Sequence, residues 1–289
     1  MFDQANRLRK LVRSTLQSTP ALRPGPPLVV LTSGESGAGV STLAAQLAEE
    51  IAAVGKQVVL VDANLQRPKL GELLGVDPKA GLIEALAGRK TVVEALESFA
   101  DGGRLLAAGG GPRRAPDLQG NAVEETIQQL QALHTKADVV LVDAGSGASP
   151  WAERFFRAAS QLLIVTTTEK DAILAAYGML KSLDRGRAAA KSRLVLNRVQ
   201  DNALAERVAD KFLSTCGYFL ELAEMPVSIV SQRSAEDDRR FRDDASLLAA
   251  KLLRHATAEL RRRSRNAAAD DDQKKSARLE ESSQPVAAR

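Results

Sequence analysis

Residues 28–42, LVVLTSGESGAGVST, join a short apolar run to a glycine-rich turn and then to a hydroxyl-bearing helix start. Few folds accommodate that order, because successive backbone N–H groups then converge on one concavity at a helix N-terminus. Gly34, Gly39 and Ser41 have the spacing of a phosphate-binding loop, but Val40 stands where the pattern has lysine. Gly34, Gly37 and Gly39 predict the loop's shape, and the residue after them removes its charge.

Downstream, apolar runs alternate with helical periodicity, the pattern of a parallel α/β sheet covered on both faces. Strands are expected at 28–32, 57–62, 104–107, 138–143, 161–166, 193–197 and 219–222. Helices are expected near 41–54, 80–87, 91–99, 121–135, 150–158, 169–185 and 203–215, with Gly55 capping the first. Only 3% of the 289 residues are aromatic, so the core must come from Leu, Val, Ile and Ala. Two carboxylates close apolar strands: Asp62 and Asp143 each follow Val-Val-Leu-Val. Asp143 fits a magnesium-holding aspartate, with Ser41 as the hydroxyl ligand.

The flanks differ in kind. Residues 2–17 place Ala5, Leu8, Val12 and Leu16 at helical spacing, and residues 7–23 hold five cations and no anion. A short basic amphipathic helix is expected at 1–17. Residues 18–27 contain four prolines, which predicts a stiff tether. A closing helix is expected at 245–263, with a membrane-surface helix as the alternative, and a disordered tail at 264–289. The folded domain is thus expected over 28–263. Cys216 is the one cysteine; with no apolar run near the roughly 18 residues that span a bilayer, a cytoplasmic protein is expected, with peripheral contact at the inner face of the cell membrane at most. His134 and His255 are isolated and receive no role, and Trp151 reads as a packing or interface residue.

The pairing of residues 32–42 with 59–68, VLVDANLQRP, resembles the paired nucleotide motifs of the MinD/ParA superfamily. Two branches compete. The bacterial tyrosine kinases are similar through Gln66, Arg67 and Pro68, through 81–88 (GLIEALAG) and through the Gly-Pro-rich turn at 109–116. The FlhG branch is similar through 3–9 (DQANRLR), 142–147 (VDAGSG) and 166–177 (TTTEKDAILAAY). FlhG is preferred: the N-terminal motif stands ahead of a linker, where that family carries it. A kinase would also need a C-terminal tyrosine cluster, whereas this chain has only Tyr177 and Tyr218.

The resemblance implies a P-loop NTPase fold, with nucleotide contacts at Gly34, Gly37, Ala38, Gly39, Val40, Ser41 and Thr42, and Asn197 at the adenine edge. A strand-end cap is the alternative for Asn197. Magnesium would be held by Ser41, Asp62 and Asp143, the two aspartates also being the residual catalytic acids. Three departures weaken this machinery. Val40 lacks the lysine, Glu35 occupies the place of the superfamily's signature lysine, and Asn64 replaces a second acid. ATP or ADP with Mg²⁺ is therefore expected to bind weakly or not at all and to turn over poorly, unless Arg67 or a partner's arginine substitutes. Through the resemblance, Asp3, Gln4, Ala5, Leu8 and Arg9 are expected to bind the SRP-type GTPase FlhF and regulate flagellar placement. The alternatives are a MinD-like switch that dimerises on nucleotide and uses 245–263 on anionic lipid, a tyrosine-kinase-like protein, and, least favoured, a nucleic-acid binder.

Overall fold

The computed structural model describes residues 25–109, 121–183, 191–222, 224–234 and 238–282. The helix expected at 1–17, with Asp3, Gln4, Ala5, Leu8 and Arg9, lies outside the described residues, as do most of the tether expected at 18–27 and all but the first residue of the turn expected at 109–116. Strands β1 (Leu28–Ser33), β2 (Val58–Asp62), β3 (Glu97–Ala100), β4 (Gly103–Leu106), β5 (Val139–Ser146), β6 (Gln161–Thr166), β7 (Ser192–Val199) and β8 (Val227–Ser231) form one sheet in the order β3-β4-β2-β5-β1-β6-β7-β8. Every pairing is parallel except that of β3 with β4.

Alternation along each central strand sends side chains to two apolar layers. Leu28, Val30, Val59, Val61, Val140 and Val142 enter one layer. Helices α3 (Leu82–Leu86), α4 (Ala122–Gln131), α5 (Ala152–Ala158), α6 (Lys170–Ser182) and α7 (Asn202–Leu220) contribute to that side. Val29, Leu31, Val58, Leu60, Val139 and Leu141 enter the other, beneath α1 (Val40–Ala53), α2 (Leu70–Leu74) and α8 (Asp238–Ser282). Both faces of the central strands are thus dry, which is why these segments read as continuous apolar runs. Gly55, at φ 75°, ends α1, and its N–H donates to the Ala52 carbonyl.

Four expectations are corrected. The helix expected at 91–99 is one 3-10 turn, Val93–Ala95, followed by β3. Thr91 starts that turn, its N–H and hydroxyl both donating to the Glu94 carboxylate, and the Asp101-Gly102 pair, with Gly102 at φ 82°, then folds 97–106 into a hairpin. The strand expected at 219–222 is instead the end of α7, whose cap is Glu221 in the left-handed region at φ 57°. The last strand follows Pro226 as β8.

The final helix begins at Asp238 and runs to Ser282, past the expected end at 263 and through most of the tail expected to be disordered. No glycine or proline interrupts 238–282. Phe241, Leu248, Ala249 and Leu252 are buried in the layer shared with α1, and Ala245 and Ala256 are buried beside them on the same helix. This part of α8 therefore closes the fold. None of the helices among the described residues is long and apolar enough to cross a membrane.

Candidate functional site: the loop after β1

Strand β1 lies at the centre of the sheet between β5 and β6. The loop that leaves it opens at the carboxyl ends of the strands, where open α/β sheets bind ligands. Gly37 and Gly39 sit in the left-handed region at φ 96° and 89°, and Gly39 is the N-cap of α1. Gly34 is required for a different reason: a Cβ there would lie 2.2 Å from the backbone carbon of Ala175 in α6. The loop is tied down at both ends. The Ser33 hydroxyl donates to the Glu35 carbonyl at 2.6 Å, and Asn197 Nδ2 donates to the Ala38 carbonyl at 2.8 Å. Across the cleft, the Ser36 and Ser146 hydroxyls share a hydrogen bond of 3.1 Å.

Asp62 and Asp143 are register partners on the adjacent strands β2 and β5. Asp143 is fully buried; its Oδ1 accepts from the Gly145 N–H at 2.9 Å. Its Oδ2 lacks a hydrogen-bond partner among the described residues. Burial pushes its carboxyl above the ordinary range, opposed by the nearby Ser41 hydroxyl and the Gly145 N–H. Asp62 is equally buried, and its Oδ2 accepts from the Lys69 and Leu70 N–H groups, each at 3.0 Å, at the start of α2. Its Oδ1 accepts from the Asn64 N–H at 3.3 Å. Burial, followed by repulsion from Asp143, raises the Asp62 pKa to about 7 against the pull of these amides.

These contacts sort the expected metal residues. Ser41 and the orphaned oxygen of Asp143 stand together as oxygen ligands that Mg²⁺ favours, and a buried carboxylate oxygen without a donor is what a cation would satisfy. Asp62 is already engaged by three amides and organises the turn into α2. Asn64 lies against Gly145, close enough that a Cβ on that glycine would be 2.7 Å from its Cγ. Its Oδ1 accepts from the Arg67 N–H.

A cavity of about 330 Å³ fills the space over the loop, bordered by Gly37, Gly39, Ser41, Thr42 and Asn64 and closed on one side by Trp151. Three cations line it, Arg67, Lys69 and Arg198, and no carboxylate does. Glu35, which occupies the place of the signature lysine, is not on its wall. Val40 borders the cavity but is only 7% exposed and belongs to the apolar layer under α1. An adjoining cavity of about 740 Å³ shares Gly39, Thr42 and Arg198 with the first and extends past Asn197 toward Gln232 and Arg233. Asn197 is 3% exposed and its Oδ1 has no hydrogen-bond partner among the described residues. Its amide nitrogen is spent on the loop, so only the oxygen remains to meet a base. Lys69 and Arg198 escape a reading of the sequence. The available hint is that Arg198 follows Asn197 at the carboxyl end of an apolar strand.

No protein-family model matches the chain. It is 27% identical over 203 residues to the antiactivator FleN of Pseudomonas aeruginosa, a match covering 70% of this chain and 72% of that protein. Among solved structures it is similar to the cell division ATPase MinD of Pyrococcus furiosus, with a TM-score of 0.64, 20% identity and coverage of 79% of this chain and 99% of that one. It is also similar to MinD of Pyrococcus horikoshii complexed with Mg-ADP, with a TM-score of 0.59, 19% identity and coverage of 76% and 94%.

Proposed function

We propose that this chain, a FlhG-like member of the MinD/ParA superfamily of P-loop NTPase folds, works as a regulator that engages protein partners and turns over ATP poorly if at all. The observation that carries the reading is Val40: the position that should present a cation to the transferred phosphate is packed into the layer beneath α1. Phosphoryl transfer relies on positioning and charge stabilisation, and one missing preorganised donor costs roughly 10²–10³ in rate. The glycine loop, Ser41 and Asp143 keep the form of a magnesium-nucleotide site. Ser41 and Asp143 would hold the ion, which when bound would draw charge from the phosphate oxygens.

Partner choice is assigned to the N-terminal motif. Asp3, Gln4, Ala5, Leu8 and Arg9 resemble the FlhG segment that acts on the SRP-type GTPase FlhF, and similarity to an antiactivator supports a regulatory role. In this reading Leu8 is the apolar anchor, while Gln4 and Arg9 offer hydrogen bonds to the partner's switch elements. The membrane-switch alternative is weakened because the apolar stripe of α8 is used inside the fold.

The test mixes the full-length chain with an FlhF-type GTPase and follows GTP hydrolysis, beside ATP turnover by the chain alone. Stimulation lost in Leu8→Ala and Arg9→Ala, with negligible ATP turnover, is the expected pair of results. Magnesium-dependent ATP turnover abolished by Asp143→Ala would overturn the impaired-ATPase reading. A GTPase that ignores the intact chain would overturn the partner assignment.

A further inference from the structure

We infer that Arg198, seconded by Lys69, takes the place of the absent loop lysine, so that the cavity over the loop still binds the polyphosphate of a nucleotide. This deepens the reading of the site as a P-loop with impaired turnover and rests on it.

The first sign is backbone strain. Arg198 has φ 58°, and among the described residues Glu221 is the other non-glycine in that region. Glu221 is explained by its place at the end of α7. Arg198 caps no helix. It lies where the pairing of β7 with β8 slips between Leu196 and Val199, an irregularity that re-aims a side chain out of the ladder. Strain of this kind persists where surrounding structure imposes it, often at ligand sites.

What the strain achieves is placement. Arg198 borders both cavities, and its Nε lies 3.6 Å from where a Gly39 Cβ would be, beside the first turn of α1. The planar fork of its guanidinium matches two phosphate oxygens. Lys69 approaches from the opposite wall, its backbone fixed by the Asp62 carboxylate.

The surroundings point to an anion as well. Arg67, Lys69 and Arg198 make no ion pair with any described residue, so three like charges share one concavity, while Glu169 and Asp201 line the adjoining cavity that Arg198 also borders. Two buried side-chain oxygens, Asn197 Oδ1 and Asp143 Oδ2, also lack partners among the described residues. One is an acceptor suited to an amino group of a base in the larger cavity, the other to a magnesium ion beside the phosphates. A free phosphate would use the cations and leave the Asn197 oxygen unmet; a nucleotide answers both.

The experiment titrates the full-length chain with Mg-ADP, Mg-ATP and inorganic phosphate. It reads the fluorescence of Trp151, the single tryptophan, which lines the cavity, with calorimetry alongside. Arg198→Gly removes the guanidinium while suiting the left-handed backbone, and Arg198→Lys keeps a cation. The inference expects saturable Mg-ADP binding, at least tenfold weaker in Arg198→Gly with an unchanged or higher melting temperature, and intermediate in Arg198→Lys. Binding in Arg198→Gly within twofold of the natural chain, or none to any probe at millimolar concentration, would overturn it. Phosphate binding as tightly as Mg-ADP would overturn the nucleotide assignment. A chain that hydrolyses ATP yet depends on Arg198 for binding would remove the impaired-turnover reading and leave this one standing.

Discussion

Asn197 and Ala38 are separated by 159 residues of chain, yet the asparagine amide donates to the alanine carbonyl at 2.8 Å and fixes the glycine loop to the end of β7. The bond is buried, so neither group has water as an alternative. It also joins the loop to the strand that carries Arg198, putting both cavities under one restraint.

Asn197→Ala is expected to leave the Ala38 carbonyl buried without a donor and to destabilise the fold by about 1–3 kcal/mol. Chemical denaturation measures the loss. Asn197→Asp should cost at least as much, because it replaces the donor with a second acceptor. A midpoint unchanged in both variants would mean that the bond contributes nothing.

The buried aspartates predict a pH dependence. Asp62 holds its proton to about pH 7 in the folded chain, against an ordinary value of 3.8. The folded state therefore binds more protons than the unfolded state across that interval. Its stabilising contribution is fully present below pH 3.8 and is lost as pH rises through about 7. At about 1.4 kcal/mol per unit the effect reaches about 4 kcal/mol. Asp143 is shifted in the same direction. Asp62→Asn retains an oxygen for the Lys69 and Leu70 amides and cannot ionise. Denaturation series from about pH 5 to 8 should slope less in the variant than in the natural chain. Equal slopes would show that Asp62 does not control the transition.

Restoring the missing cations should trade stability for chemistry. Val40→Lys combined with Glu35→Lys is expected to raise ATP turnover by about 10² or more. Because Val40 is packed into the layer under α1, the same change should lower stability by roughly 1.5–3 kcal/mol. Phosphate release and thermal melting read the two effects. A folded double variant with unchanged turnover would place the defect elsewhere in the site.

The central fold was legible because β1, β2, β5 and β6 are apolar on both faces and bounded by turns. The edges were not. β3 pairs on one side only and reads Glu-Ser-Phe-Ala, with no alternation strong enough to outweigh the helix-like residues before it. In β8 the apolar residues are interrupted by serines. Within the site, the glycines, Ser41 and Asp143 could be placed because their roles follow from position along one strand and one loop. Arg67 could be suspected from its place in the Gln66-Arg67-Pro68 run that follows Asp62. Lys69 and Arg198 required knowing that the turn before α2 and the end of β7 converge on the same loop. Glu35 illustrates the reverse: its charge is plain in the sequence, but its direction depends on the loop's local turn.

The contact between Gly34 and Ala175 bears on how the loop is held. With no side chain between them, the loop after β1 and the backbone of α6 are two surfaces of a single wall. Any side chain at Gly34 would have to push these two backbones apart, so the seating of the loop against α6, the helix that also carries the exposed Leu174, rests on the absence of a methyl group and not on the charge the loop has lost.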